Sequence, residues 1–199
     1  PTRRSSDLVL LANAKVGTIV PLYREENKYY SDESNLDNLV FLDNGTQFVI
    51  TSEKSGYMHL YLYDLNGRER QAITKGNFDI IDFYGYDPVR KLFYYSSYEE
   101  SPLEKYIYSI NEKGLKKKLT PVKGWNEASF SKNFNYYINV VSNTDTPPVT
   151  ALYNAKGKQV RVLEDNKAVK EAVKAYNLAK PEFIQIPAAD GKTMLNAWI

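Results

Sequence analysis

Few residues in this chain of 199 are equipped for covalent chemistry. His59 is the sole histidine, in Gly56-Tyr57-Met58-His59-Leu60, at the entrance to an apolar stretch. A serine hydrolase needs a nucleophile raised on a sharp Gly-x-Ser-x-Gly turn with a histidine base beside it. That pentapeptide occurs nowhere in the sequence. His59 therefore reads as a packed or hydrogen-bonded strand residue, and no catalytic residue is expected within the chain. The absence of cysteine rules out disulfides and thiolate chemistry, and one histidine cannot build a zinc cluster. No Asp-x-Asp-x-Asp spacing points to calcium and no glycine loop could cradle a phosphate. No cofactor and no metal are expected.

The adjacent pair Glu99-Glu100 could in principle grip a cationic amine. Its setting, Ser97-Tyr98-Glu99-Glu100-Ser101-Pro102, argues for a turn, and Glu99 follows Glu53 by 46 positions in a repeating pattern. An exposed, turn-stabilising role is expected for the pair, and no substrate-binding residue can be assigned. Lys116-Lys117-Lys118 follows Gly114 and reads as a solvated hairpin edge, since lysines at sheet edges discourage unwanted strand pairing. With 26 basic and 24 acidic residues the net charge is +2, which gives no electrostatic footprint for nucleic acid or an anionic membrane. No run of eighteen apolar residues spans a bilayer and no signal-peptide pattern is present.

The elements that position these residues come from the composition and from internal repetition. Seventeen tyrosines, eight phenylalanines and two tryptophans favour pleated, half-buried strands and an all-β class. Three stretches share one plan: a polar turn, then an apolar strand. They begin at Phe41-Leu42-Asp43, Gly85-Tyr86-Asp87 and Phe130-Ser131, and the steps from Asp43 to Asp87 and from Asp87 to Ser131 are both 44 positions. Each continues into a hairpin: His59 to Asp64 through Gly67 to Thr74, Tyr106 to Ile110 through Gly114 to Thr120, and Val149 to Tyr153 through Gly157 to Leu163. Four short strands in about 45 residues is the size of a propeller blade.

Val9 to Tyr23 reads as the last two strands of a preceding blade, followed by a polar, acidic linker from Glu25 to Asn38. Blades are expected at about 9–24, 39–74, 78–120 and 125–163. Residues 164–199 are expected to hold a linker helix from Lys167 to Tyr176, capped by Asp165-Asn166, with Val169, Val173 and Tyr176 on one face. A hairpin should follow, with strands at Glu182–Ile186 and Met194–Ile199 around Asp190-Gly191. Pro1 to Leu8 fits nothing after it; back-translated, it matches the end of a short-read sequencing adapter, so residues 1–8 are expected to be an artefact. Three and a half blades cannot close a ring. If each of two open faces left on the order of 500 Å² of apolar surface wet, roughly 12 kcal/mol would be forfeited at about 25 cal/mol per Å², against a typical stability of about 5–15 kcal/mol. The chain is expected to be a piece of a larger protein.

Several motifs carry a family likeness. Thr51-Ser52-Glu53-Lys54-Ser55-Gly56-Tyr57-Met58-His59-Leu60-Tyr61-Leu62-Tyr63-Asp64, with Ile73-Thr74-Lys75-Gly76 after it, resembles a late propeller blade of the dipeptidyl peptidase IV family. Ser97 to Pro102 with Tyr106-Ile107-Tyr108 resembles the next blade, Val162-Leu163-Glu164-Asp165-Asn166 the exit from the last, and Asp190-Gly191 with Leu195 to Trp198 the first strands of an α/β-hydrolase domain. The resemblance implies a propeller fused to a serine hydrolase that removes dipeptides from peptide N-termini, commonly a periplasmic or extracellular homodimer. On that reading the chain is a partial β-propeller that gates and sizes peptide substrates for a hydrolase domain not contained in it. Glu99-Glu100 does not match the family's amine-binding motif. The alternative is a non-enzymatic propeller that binds protein or glycan through its loops.

Overall fold

A computed structural model describes residues 6–28, 30, 32–42, 45–176 and 178–199, and only the backbone of residues 33 and 34. Asp43, the first member of the repeat set, and residues 1–5 lie outside the described residues. The chain forms a two-stranded hairpin, three four-stranded antiparallel sheets and a final hairpin. The first hairpin pairs β1 (Ser6–Ala12) with β2 (Ile19–Glu26). The second sheet is β3 (Val40–Phe41), β4 (Gln47–Ser52), β5 (His59–Asp64) and β6 (Glu69–Ala72). The third is β7 (Ile80–Asp87), β8 (Leu92–Ser97), β9 (Tyr106–Ile110) and β10 (Lys116–Lys118). The fourth is β11 (Trp125–Phe130), β12 (Tyr136–Asn143), β13 (Thr146–Asn154) and β14 (Gln159–Glu164). Each four-stranded sheet is a meander in chain order, as a partial propeller requires.

Alternation along the strands sorts side chains between neighbouring sheets. Phe48 and Ile50 of β4 join Tyr61 and Tyr63 of β5 against Leu22 and Tyr23 of the first hairpin. Val49, Leu60 and Leu62 point the other way, against Phe93, Tyr95 and Tyr108 of the third sheet. Tyr94 and Ile107 then meet Tyr137, Ala151 and Tyr153 of the fourth. The three hydrophobic clusters are therefore the three junctions between consecutive sheets. β4, β5, β8 and β9 are buried on both faces, whereas β12 alternates: Tyr137 is 1% exposed and Tyr136, on the opposite face, 49%.

The repeats share local devices. Thr74 and Thr120, each just beyond the last strand of its sheet, accept the N–H of Leu60 and of Ile107 through their hydroxyls, both at 3.0 Å. The closing turns are set by Asp64, Asn111 and Asn154, whose side-chain oxygens accept downstream N–H groups from Arg68, Leu115 and Lys158. Asp87 holds the turn after β7 by accepting the N–H of Val89 and Arg90.

Three segments differ from the sequence expectation. β1 begins at Ser6, and Ser6, Asp7 and Leu8 pair with Glu26, Glu25 and Arg24. The stretch expected as a linker starts inside β2, where Glu25 is 3% exposed and receives hydrogen bonds from Tyr23 and from Ser52 of the second sheet; a 3-10 helix then spans Glu33–Asn38. The helix α1 (Lys167–Ala175) is present, yet Asn166 makes no side-chain cap. Its φ of 51° turns its amide to the carbonyl of Pro148, 2.6 Å away, and Asp165 accepts the Lys167 N–H instead. No residue of α1 is buried, and Val169, Val173 and Tyr176 are exposed. The last hairpin pairs β15 (Phe183–Pro187) with β16 (Met194–Trp198) around a turn held by Asp190.

Candidate functional site

The first and last strands of the sheets lie in different surroundings. β6, β10 and β14 are the most exposed strands of their sheets, and among the described residues the hydrogen bonds that cross between sheets there come from side chains, Gln71 to the carbonyl of Glu112 and Lys117 to that of Lys156. At the opposite edge the backbones themselves meet. The Ile80 N–H donates to the carbonyl of Met58 at 3.0 Å, and the Asn126 N–H to that of Lys105 at 3.1 Å. Sheets converge where main-chain hydrogen bonds run from one to the next, so β7 and β11 lie on the axial side of the arc and β6, β10 and β14 on its rim.

On that axial edge a polar cluster joins the third and fourth sheets. Lys105, 5% exposed, sits 3.0 Å from Asp82 of β7 and 3.9 Å from Glu127 of β11, with the Trp125 ring centroid 5.0 Å from its ammonium. Asp82 also accepts from the Ser96 hydroxyl at 2.7 Å and from Tyr84 at 3.3 Å. Burial pushes the Asp82 carboxyl up, but the Ser96 hydrogen bond and the Lys105 ammonium outweigh it and hold the carboxyl below its ordinary range. Trp125 and Glu127 are exposed on the same strand, and Tyr98 stands 6.0 Å from the indole. The cluster offers a polar and aromatic surface with carboxylates partly neutralised by one lysine. That suits contact with peptide groups; it holds no nucleophile with a base beside it.

The residues singled out in the sequence lie elsewhere. His59 is buried in the second sheet, its Nδ1 3.0 Å from the Thr74 hydroxyl and its Nε2 3.0 Å from the carbonyl of Gly76, with Phe78 edge-on. Both ring nitrogens are occupied by the structure. Glu99 and Glu100 do stand at the turn after β8, but the expectation of exposure fails for Glu99, whose side chain is 8% exposed. Lys116 pairs with Glu99, and Lys118 with Glu100 at 2.7 Å, while Tyr108 donates to Glu100. The Lys118 hydrogen bond holds the Glu100 carboxyl below its ordinary range. The lysine run is thus tied down across β8, β9 and β10, and the glutamates are engaged by it. Lys105 and Asp82 went unrecognised in the sequence because nothing in the local pattern separates them from rim charges. The one available signal is that Lys105 holds the position occupied by the apolar Met58 in the preceding repeat. Among the described residues no three His, Asp or Glu side chains converge as metal ligands would, and no helix is long and apolar enough to cross a membrane.

Comparison with known proteins agrees with this architecture. The family described as the dipeptidyl peptidase IV (DPP IV) N-terminal region matches residues 2–148. The dipeptidyl peptidase 4 of Trichophyton rubrum is 30% identical over 172 residues, 80% of this chain and 22% of that protein. The dipeptidyl peptidase 4 of Arthroderma otae is 28% identical over 208 aligned positions, 96% of this chain and 26% of that protein. The crystal structure of Porphyromonas gingivalis dipeptidyl peptidase 4 superposes with a TM-score of 0.91 at 37% identity, covering 98% of this chain and 28% of that one. The chain thus spans about a quarter of the length of these relatives. With its stacked meander sheets and the match across residues 2–148, the chain belongs to the dipeptidyl peptidase IV family, as part of its N-terminal region.

Proposed function

We propose that this chain is the non-catalytic wall of a serine-type dipeptidyl peptidase, restricting access and sizing peptides for a hydrolase domain that the chain does not contain. The observation that carries the reading is the superposition of 98% of the chain on a dipeptidyl peptidase 4, together with an axial edge that presents Trp125, Glu127 and Asp82 but no nucleophile. In this role the sheets supply shape and a polar lining. The acyl-enzyme would form on a serine in the partner domain, with a histidine as its base. Extended peptides would pass the axial edge, and folded proteins would be refused by the ring. The parent protein, on this reading, acts in the periplasm or outside the cell and works as a homodimer.

The test compares the 199-residue chain with the complete open reading frame that contains it. The expected result is release of N-terminal dipeptides by the complete protein and none by the chain alone, under identical conditions. Release by the chain itself would overturn the non-catalytic assignment. A complete protein that leaves dipeptidyl substrates intact would overturn the peptidase assignment.

A further inference from the structure

Strands of a meander alternate in direction, so the connections of each sheet fall at two opposite ends. The turns that follow β1, β3, β5, β7, β9, β11 and β13 share one end. The loops after β4, β8 and β12, and the passages from sheet to sheet, share the other. At the turn end neighbours touch. Leu65 N–H donates to the Thr46 carbonyl at 3.2 Å and Ala155 N–H to that of Asn135 at 2.9 Å, while Arg90 reaches across sheets to the Asn135 side chain. Gly67 lies against Leu22 as Gly157 lies against Leu119, and both leucines follow a turn glycine, Gly17 or Gly114, by five positions, so the first hairpin is set in the same sense. The turns therefore make one continuous end of the arc.

The net charge of +2 conceals a division between the two ends. Lys15 stands in the turn of the first hairpin and Arg68 in that of the second sheet, both exposed. The third sheet adds Arg90, Lys91 and Lys113, and the fourth Lys132, Lys156 and Lys158, again exposed. Glu112 is the single acid in these turns among the described residues; Asp43 lies outside them. Arg90 pairs with Asp87, and the other seven cations have no acidic partner among the described residues. The opposite end carries Glu53, Asp79, Glu99, Glu100, Glu104 and Asp145. The chain also leaves the fourth sheet there, with Asn166 on the Pro148 carbonyl and Lys180 paired to Asp145 at 2.8 Å, so the basic end is the one remote from α1.

A second feature singles out the basic end. Val16, Val89 and Leu115 sit in its turns, each at least 68% exposed, and no other valine, leucine or isoleucine described up to Glu164 is as exposed. Each stands within two positions of a turn cation: Lys15, Arg90 or Lys113. Water gives aliphatic side chains no reason to occupy turn tips, where glycine, asparagine and aspartate serve better. A lipid interface does, since cations meet the headgroups while aliphatic groups enter the acyl boundary.

We propose that this turn end docks on the surface of an anionic lipid bilayer, its cations over the headgroups and Val16, Val89 and Leu115 in the acyl boundary. A nucleic acid fits less well, because binding of its bases draws on exposed aromatic platforms. Phe134, the one aromatic residue in these turns among the described residues, is stacked on Tyr94. A soluble polyanion would leave the aliphatic tips in water. The inference does not depend on the peptidase reading.

Co-sedimentation of the 199-residue chain with vesicles tests the assignment. Binding is expected to vesicles of three parts phosphatidylcholine to one part phosphatidylglycerol, and little to phosphatidylcholine alone. Raising sodium chloride from about 0.1 M to about 1 M, which shortens the screening length from about 10 Å to about 3 Å, should release most of it. Lys113→Glu with Lys132→Glu should weaken binding about tenfold. Lys75→Glu with Lys123→Glu, the same change of net charge at the acidic end, should alter it less than about twofold. Val89→Ser with Leu115→Ser should weaken vesicle binding about threefold and leave binding of inorganic polyphosphate unchanged. The lipid and salt dependence of the unaltered chain decides the matter even if a variant misfolds. Equal binding to both kinds of vesicle, equal losses from the two lysine pairs, indifference to the aliphatic pair, or tighter binding of polyphosphate than of vesicles would each overturn the proposal.

Discussion

The junction between the third and fourth sheets and the one between the second and third are built from the same repeat, yet one is sealed at its rim and the other is open. At the sealed junction Tyr94 stacks on Phe134, Phe130 stacks on Tyr137, and Gly157 presses against the Leu119 backbone. At the open one the cores still meet through Val49, Leu62, Phe93 and Tyr95, but at the rim Gln71 makes the one hydrogen bond across among the described residues, to the Glu112 carbonyl. The difference teaches that the apolar interior holds the sheets together, while closeness at the rim depends on whether a backbone without a side chain can nest on its neighbour. Where nesting fails, a cleft of about 350 Å³ remains.

The comparison can be broken most sharply at the core. Tyr137→Ala should destabilise the chain by about 4 kcal/mol, as large-to-small core changes do, whereas Tyr136→Ala on the outer face should cost under about 0.5 kcal/mol. Urea unfolding followed by circular dichroism measures both, and similar costs would mean that β12 is not buried on one side only. The two turn glycines come next. Both have φ near +80°, so an alanine at either meets the left-handed penalty of roughly 1–2 kcal/mol, but only at Gly157 does its Cβ also meet a neighbouring carbonyl. Gly157→Ala is expected to cost about 3 kcal/mol and Gly114→Ala about 1 kcal/mol. Equal losses would remove the distinction between the sealed and open junctions.

The axial ion pair gives a smaller effect with a pH signature. Asp82 has a lowered folded-state pKa, so its contribution is present above the unfolded carboxylate value, about 3.9, and is lost as pH falls through the lower folded value. Because the Asp82 side chain is 41% exposed, solvent screening limits the loss in Lys105→Met to about 1 kcal/mol at neutral pH. Without its cation the Asp82 carboxyl should titrate at higher pH, which carboxyl-carbon NMR would follow. An unchanged titration would mean that Lys105 does not govern Asp82. Gln71→Ala, which removes the rim hydrogen bond to the Glu112 carbonyl at the open junction, should cost about 0.5 kcal/mol, and a much larger loss would show that this bond rather than the core holds that junction.

Much of the fold was legible because period-two alternation and Asx-glycine turns are local signals. The repeat spacing of Asp87 and Ser131 and the turns at Gly67, Gly114 and Gly157 mark strands that the structure contains. Burial on both faces of β4 and β8 could be inferred from the uninterrupted runs Phe48-Val49-Ile50 and Phe93-Tyr94-Tyr95. Glu25 defied the polar-linker expectation because its partner Ser52 is 27 positions away. The helix cap failed for a similar reason: the Asn166 side-chain nitrogen donates to the Pro148 carbonyl of another strand, and the residue sits at a left-handed φ of 51° rather than the extended backbone a cap requires. Glu99 is sheltered because β10 lays Lys116 over it, a contact between strands that no window along the chain reveals.

By itself, the sequence determined the strand order, the turn positions and the absence of a nucleophile elbow, since each depends on residues a few positions apart. Only tertiary structure decided which charges are buried, which lysines find acids, and which of three equivalent junctions stays open. Those outcomes depend on how sheets separated by about 45 residues settle against one another, and a difference of little more than an ångström in that settling decides whether a glycine meets a carbonyl or a void.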